Sequence, residues 1–372
     1  MRITAVRGQL VEIKSMIKEH CFEKEYIRNL RKVYKKANPV FVEKTIYAFE
    51  LLSLLIKSGM NFVFKGGTSL LLLIPEPQRL SVDVDIIGKI DLTELDSIIT
   101  DSRFTKFEPD KRKNDKDCIK HFKFYYNSAF VKQKDSNLLL DIVLKTPVYK
   151  RIISNNIQTP FFETEEEINV NIPSINSLLS DKLTAFAPNT IGIPYDENSV
   201  SRRTGIIKQL YDISILFDKV NDFLEIKENY KKIHTQECNI REKEFTLEES
   251  LQDSVDTSYL ICQSGLKGSI NNNQLKMLRF GCNDLRNYLL NDTFSLDAAK
   301  TPAAKAAFIA TLIKKNKIAL NLSNFKFHHN KTDKIKDVML SDKYTILNKL
   351  KTINPEAFYY WNLISQIEEG KL

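Results

Sequence analysis

Hydrophobic residues run almost without interruption through FVEKTIYAFELLSLLIKS, residues 41–58, with Asn38 and Pro39 before the block and Gly59 after it. A capping amide, a proline at the first helical position and a glycine just past the last turn predict a helix. Its nearly all-round apolar character predicts burial. A strand, NFVFK, follows at once, and Gly66-Gly67 turns into a short helix, TSLLLLI, which Pro75 and Pro77 stop. LSVDVDIIG reads as the next strand, its alternation marked by Asp83 and Asp85 in an otherwise apolar run.

After a helix near Leu92 to Asp101 come two further strand-like runs, HFKFYYNSAF and NLLLDIVLK, with the basic stretch DKRKNDKDCIK before the first of them. The middle of the chain is therefore α/β or α+β. From Ser174 the period becomes helical: SINSLLSDKLTAFA, a loop rich in Pro, Asn and Gly from Pro188 to Val200, then RRTGIIKQLYDISILFD. Beyond about residue 220 no strand pattern returns, and NNQLKMLRFGCNDLRNYLL and TPAAKAAFIATLIKKNK predict a helical C-terminal domain.

With 372 residues, 42% of them hydrophobic and 10% aromatic, the chain can bury a sizeable core and is long enough for two domains. The opening MRITAVRGQLVEIKSMIKEH has no uninterrupted apolar stretch, and no later segment approaches the roughly 20 apolar residues that span a bilayer. A cytoplasmic location is expected. The five cysteines, Cys21, Cys118, Cys238, Cys262 and Cys282, form no C-x-x-C pair, and the five histidines include one adjacent pair, His328 and His329, so neither a disulfide framework nor a zinc site is indicated. A formal charge of +8 fits a polyanionic partner, although many lysine-rich proteins carry such a balance with no partner.

Successive side chains of a strand point to opposite faces, so Ser81, Asp83 and Asp85 share one face and Val82, Val84 and Ile86 the other. The two aspartates then stand roughly 6.5 to 7 Å apart along the backbone. Two readings are open: an edge strand with a solvated outer face, or a pair of oxygen ligands for a hard cation such as Mg²⁺, which would offset their repulsion. The turn before them favours the second. Gly66 and Gly67 lack Cβ atoms and let backbone N–H groups approach a ligand at a helix N-terminus, where Thr68 and Ser69 add hydroxyls. Asp141 interrupts NLLLDIVLK with Leu138, Leu140, Ile142 and Leu144 on the opposite face, and is either a solvated edge residue or a third carboxylate.

Lys182 falls within the apolar stripe of Ile175, Leu178, Leu179, Leu183 and Phe186, and either snorkels to the edge or meets an anion in a cleft. Asp212 lies four residues after Lys208, the spacing of a plain surface ion pair. Arg202 and Arg203 are solvated or phosphate-facing, while His328-His329 and Trp361 read as structural.

The order G-G-T-S-L, R-x-S-x-D-x-D, a strand aspartate, S-D-K-L-x-A and later L-Y-D resembles the nucleotidyltransferase toxins of the AbiEii/AbiGii family, found in bacterial abortive-infection and toxin–antitoxin systems. Those toxins belong to the polymerase-β-like nucleotidyltransferase superfamily, and the resemblance covers about residues 40 to 220. It implies an α+β fold, a small mixed sheet flanked by helices, with a nucleotidyltransferase domain over residues 1–219 and a helical C-terminal domain over 220–372. The family motif carries its glycine pair to Gly66 and Gly67, its metal carboxylates to Asp83 and Asp85, its essential lysine to Lys182 and its late aspartate to Asp212; Asp141 resembles the superfamily's third carboxylate. The superfamily's G-S is G-G here, as is frequent in this family. Gln209 stands where an acidic residue usually precedes L-Y-D, and Lys208 where an arginine is common.

The resemblance implies transfer of a nucleoside monophosphate from an NTP to an acceptor, with Mg²⁺ or Mn²⁺ held by Asp83, Asp85 and Asp141. The triphosphate then lies against Gly66, Gly67, Thr68, Ser69 and Ser81, Lys182 meets the charge of the transition state, and Asp212 orients Lys182 or a basic neighbour. Implied partners are an RNA acceptor such as a tRNA 3′ end and a cognate antitoxin. Lys111, Arg112, Lys113, Arg202 and Arg203 are the first candidates to grip the RNA. The alternatives are a transferase acting on a protein or small-molecule hydroxyl, and a nucleotide-binding module without turnover.

Overall fold

The computed structural model describes residues 15–100, 102–110, 117–131, 136–197, 200–317, 321–328 and 335–372. Lys111, Arg112, Lys113 and His329 lie outside the described residues. The chain divides into two compact units, one of Met1–Thr146 with Ser154–Asn171, the other of Pro147–Ile153 with Ile172–Leu372.

In the first unit, α1 (Lys24–Asn29) precedes α2 (Pro39–Lys57). The Asn38 side chain accepts from Val40 N at 3.1 Å, Pro39 opens the helix and Gly59 follows it with φ +86°, the three signals read from the sequence. β1 (Val63–Lys65), α3 (Gly66–Leu73), β2 (Val84–Ile87), α4 (Leu95–Ile99), β3 (Phe104–Pro109), β4 (Ile119–Tyr126) and β5 (Ser136–Val143) follow. They build a five-stranded mixed sheet of order β1-β2-β5-β4-β3, in which β2 and β5 are parallel and the other neighbours antiparallel.

One sheet face is apolar. Phe64, Val84, Ile86, Leu138, Leu140, Ile142, Phe122 and Phe124 are buried there. Tyr47 of α2 stacks on Tyr126 with ring centroids 3.8 Å apart, and Phe49 meets Phe64 edge-on at 6.2 Å, so α2 covers this face. Two buried carboxylates on α2 hold neighbouring chain. Glu43 accepts from Ser128 Oγ at 2.5 Å and Ala129 N at 2.6 Å, and Glu50 accepts from the Met16 and Ile17 amides at 3.3 and 3.0 Å. Desolvation pushes both carboxyl pKa values upward, against those hydrogen bonds.

Two details of this sheet depart from the sequence reading. The strand read across LSVDVDIIG is ladder-paired only over Val84–Ile87. The carbonyls ahead of it go to helix hydroxyls instead: Ser81 O accepts from Thr45 Oγ1 at 2.9 Å and Asp83 O from Thr68 Oγ1 at 2.5 Å. β3, which the sequence reading omits, is an edge strand with little buried surface and hence little apolar periodicity.

The chain then forms the β6 (Ile152–Asn156) and β7 (Asn169–Pro173) ribbon. The second unit holds α5 (Ile175–Ala185), the short pair β8 (Asp196–Glu197) and β9 (Val200–Ser201), α6 (Arg203–Phe217), α7 (Phe223–Arg241), α8 (Leu247–Cys262), α9 (Asn273–Leu285), α10 (Lys300–Lys314) and a last helix, Pro355–Glu368. α5 and α6, placed in the first domain by the sequence reading, belong to this compact unit. Trp361 is fully buried against the rings of Tyr259 and Tyr344, while His328 is exposed outside any helix.

Candidate active site

Gly66, the first residue of α3, has φ +79°, a region that costs any other residue strain. Space demands glycine as well: a Cβ there would stand 2.1 Å from Oδ2 of Asp85. At Gly67 a Cβ would meet Nη2 of Arg79 at 2.7 Å and Oγ of Ser81 at 2.8 Å. The glycine pair is thus the surface against which the Asp85 carboxylate, the Arg79 guanidinium and the Ser81 hydroxyl are packed.

The sheet register sets the rest. Lys65 on β1 is opposite Asp85 on β2, Asp85 is opposite Asp141 on β5, and Asp141 is opposite His121 on β4. Side chains at paired positions share a face, so four charged or ionisable groups cross the sheet in one row, on the face away from α2. His121 Nδ1 lies 2.8 Å from Asp141 Oδ1. Asp83, immediately before β2, is half-buried like Asp85, whereas Val82, Val84 and Ile86 are buried. That alternation agrees with the two-residue period seen in the sequence.

Thr68, Ser69 and Ser81 are buried. The Thr68 hydroxyl donates to Asp83 O at 2.5 Å and the Ser69 hydroxyl to Gly66 O at 3.0 Å. Each hydroxyl carries a single proton, so these donors brace the turn. An anion at this turn would meet backbone N–H groups of the α3 N-terminus rather than the hydroxyl protons. Arg79, quoted in the R-x-S-x-D-x-D motif without a role, is buried, with Nη1 donating to Leu80 O at 2.9 Å. His121 was missed altogether, because it sits in a strand whose pairing partner the local pattern does not name.

In the second unit, Lys182 Nζ on α5 lies 3.1 Å from Asp212 Oδ2 on α6, with side chains 3% and 1% exposed. The burial excludes a surface ion pair for Asp212 and a snorkelling Lys182; Lys208 sets its ammonium 3.5 Å from the ring centre of Tyr288. The α5 N-terminus is anchored by buried Glu225, which accepts from Ser174, from Ser177 Oγ at 3.0 Å and from Asn176 Nδ2 at 3.0 Å. Arg202 bonds Glu197 through Nε at 2.9 Å, and Arg203 Nε bonds Asp284 at 2.9 Å. Both guanidiniums are therefore engaged by carboxylates.

The first-unit donor set of Asp83, Asp85 and Asp141 consists of hard oxygens, which suits Mg²⁺ or Mn²⁺. Among the described residues, no three His, Cys, Asp or Glu side chains are already gathered around one point. Asp85 and Asp141 are aligned by register, then, with Asp83 just ahead of the paired strand.

A mixed sheet with a glycine turn packed on paired carboxylates is the framework of a nucleotidyltransferase, and comparison with known proteins gives the family. The family model described as nucleotidyl transferase AbiEii toxin, type IV toxin–antitoxin system, matches residues 53–264. The chain belongs to this family and is a nucleotidyltransferase. Among solved structures it is similar to MenT4, a nucleotidyltransferase toxin from Mycobacterium tuberculosis H37Rv, at 10% identity and TM-score 0.49 over 88% of this chain and 99% of that one. An antigenic nucleotidyltransferase-like protein from Paracoccidioides brasiliensis matches at 13% identity and TM-score 0.32 over 58% of this chain and 91% of that one. Comparison with curated protein sequences gave no match. Among the described residues no helix is long and apolar enough to cross a membrane.

Proposed function

We propose that this toxin transfers a nucleoside monophosphate from an NTP to the 3′ end of an RNA, tRNA being the expected acceptor, in a reaction that requires Mg²⁺ or Mn²⁺, and that a cognate antitoxin neutralises it in the cytoplasm. The observation that carries the reading is the register of Asp85 with Asp141 on adjacent parallel strands, with the Gly66 backbone packed on the Asp85 carboxylate. Asp83, Asp85 and Asp141 would hold the divalent cation. When bound, it neutralises phosphate charge and lowers the pKa of an acceptor hydroxyl. The α3 N-terminus, through the Gly66 and Gly67 backbone, receives triphosphate oxygens, with Thr68, Ser69 and Ser81 keeping that turn in shape. Family motif positions assign Lys182 to the transition-state charge, and the 3.1 Å pair supports Asp212 as the group that orients it.

Incubation with labelled NTPs, Mg²⁺ and separate pools of RNA, protein and small alcohols tests the reading. Label at RNA 3′ ends, lost on chelation, is the expected result. Label in protein or in the alcohols would move the acceptor class, and nucleotide binding without transfer would remove the assigned reaction.

A further inference from the structure

On the half-exposed face of β4, His121, Lys123 and Tyr125 alternate with the buried Phe122, Phe124 and Tyr126. Lys123 Nζ reaches Asp110, just past β3, at 2.7 Å, and Tyr125 OH donates to Glu108 on β3 at 3.1 Å. His121 turns the other way, to Asp141 on β5. An ionised carboxylate can only accept, and facing one the Nδ1 that meets Oδ1 at 2.8 Å is the donor. The pair is neither open nor sealed: His121 is 14% exposed and Asp141 27%. A ring in that setting, hydrogen-bonded across a strand pair, leaves the carboxylate little freedom to rotate.

We propose that His121 is a positioning residue for nucleotidyl transfer: its Nδ1–H holds Asp141 in the attitude beside Asp85 that receives the divalent cation. This rests on the reading of Asp141 as a metal carboxylate. Asp85 and Asp141 are nearest neighbours in a parallel pair and repel each other. A donor on the far side of Asp141 draws charge toward itself and prevents the carboxylate from swinging out of the row. Outer groups that orient ligating carboxylates in this way typically change metal affinity or activity about 10- to 100-fold.

Mn²⁺ binding to the full-length chain, measured calorimetrically with a non-hydrolysable NTP analogue present, separates the possibilities when read beside the transfer rate. His121→Ala should weaken Mn²⁺ binding and slow transfer, each by about 10- to 100-fold, with NTP affinity little changed. His121→Asn, whose amide nitrogen can take the place of Nδ1, should recover most of both. Equal losses in the two variants would assign the effect to packing and overturn the proposal. A large loss of binding in Asp141→Asn with none in His121→Ala would overturn the role of His121 alone. Unchanged Mn²⁺ affinity in Asp141→Asn would remove the reading of Asp141, and the proposal with it.

Discussion

The ammonium of Lys182 and the carboxylate of Asp212 face each other at 3.1 Å across the α5–α6 contact, both almost wholly removed from water. A pair like this is costly to break from one side, since a buried charge that loses an ionic partner keeps its desolvation cost. Lys182→Ala is therefore expected to cost about 3 to 5 kcal/mol, although alanine is the better helix former. The paired change Lys182→Met with Asp212→Leu should recover most of that loss. Urea denaturation of the three variants checks this, and a Lys182→Ala protein as stable as the parent would refute it.

Activity should separate from stability at the same residue. Well below its unfolding midpoint, Lys182→Ala is expected to lose about 10²-fold or more in maximal rate with a smaller change in NTP affinity. Unchanged maximal rate with weakened NTP binding would reduce Lys182 to a ground-state contact.

Gly66→Ala combines a positive φ with a Cβ driven into the Asp85 carboxylate, whereas Gly59→Ala has the same kind of backbone and nothing within 4 Å. Gly59→Ala should show the backbone cost alone, on the order of 1 kcal/mol. Gly66→Ala should cost more and should also displace Asp85, so transfer falls steeply only there. Chemical denaturation and transfer assays on both variants make the comparison; equal activity would dissociate Gly66 from the site.

Asp83→Asn and Asp85→Asn each remove a charge from a repelling pair. Thermal stability without metal should hold or rise, while metal-dependent transfer drops to background. Production of the parent protein without antitoxin should arrest bacterial growth, and the Asp83→Asn protein should not. Near-normal turnover in either variant would reject the metal assignment.

Glu50 supplies a pH dependence. Burial raises its folded pKa above the ordinary 4.5, so the folded state holds the proton more tightly than the unfolded chain. The stability from this group is complete below the unfolded value and is lost as pH rises through the folded one. Denaturation midpoints measured from about pH 4 to 8 should decline more steeply with rising pH for the parent than for Glu50→Gln. Parallel curves would show that Glu50 does not titrate differently in the two states.

RNA binding through phosphates should weaken with salt by a log–log slope of about −0.7 per phosphate neutralised. Arg202 and Arg203, already bonded to Glu197 and Asp284, should change that slope little when replaced by alanine. Replacement of Lys111, Arg112 and Lys113 should flatten it. Filter binding across a salt series distinguishes the two sets, and a flattened slope in Arg203→Ala would mean that RNA displaces Asp284.

What the sequence by itself determined is local. Asn38, Pro39 and Gly59 frame α2 because capping and φ preferences act within a turn. The glycine pair, the spacing of Asp83 and Asp85, and Lys182 within an apolar stripe are legible for the same reason, since periods of 2 and 3.6 residues need only neighbours along the chain. Tertiary structure decided what depends on partners far apart in sequence. Strand pairing brings Asp141 beside Asp85 and His121 onto Asp141, and no local pattern names which strands pair or in which register. Helix packing gives Asp212 to Lys182, although Lys208 stands one turn away along the same helix. The hydroxyls of Thr68 and Ser69 look from sequence like ligand donors; folding buries them, and a buried donor is bound to the carbonyl it can reach.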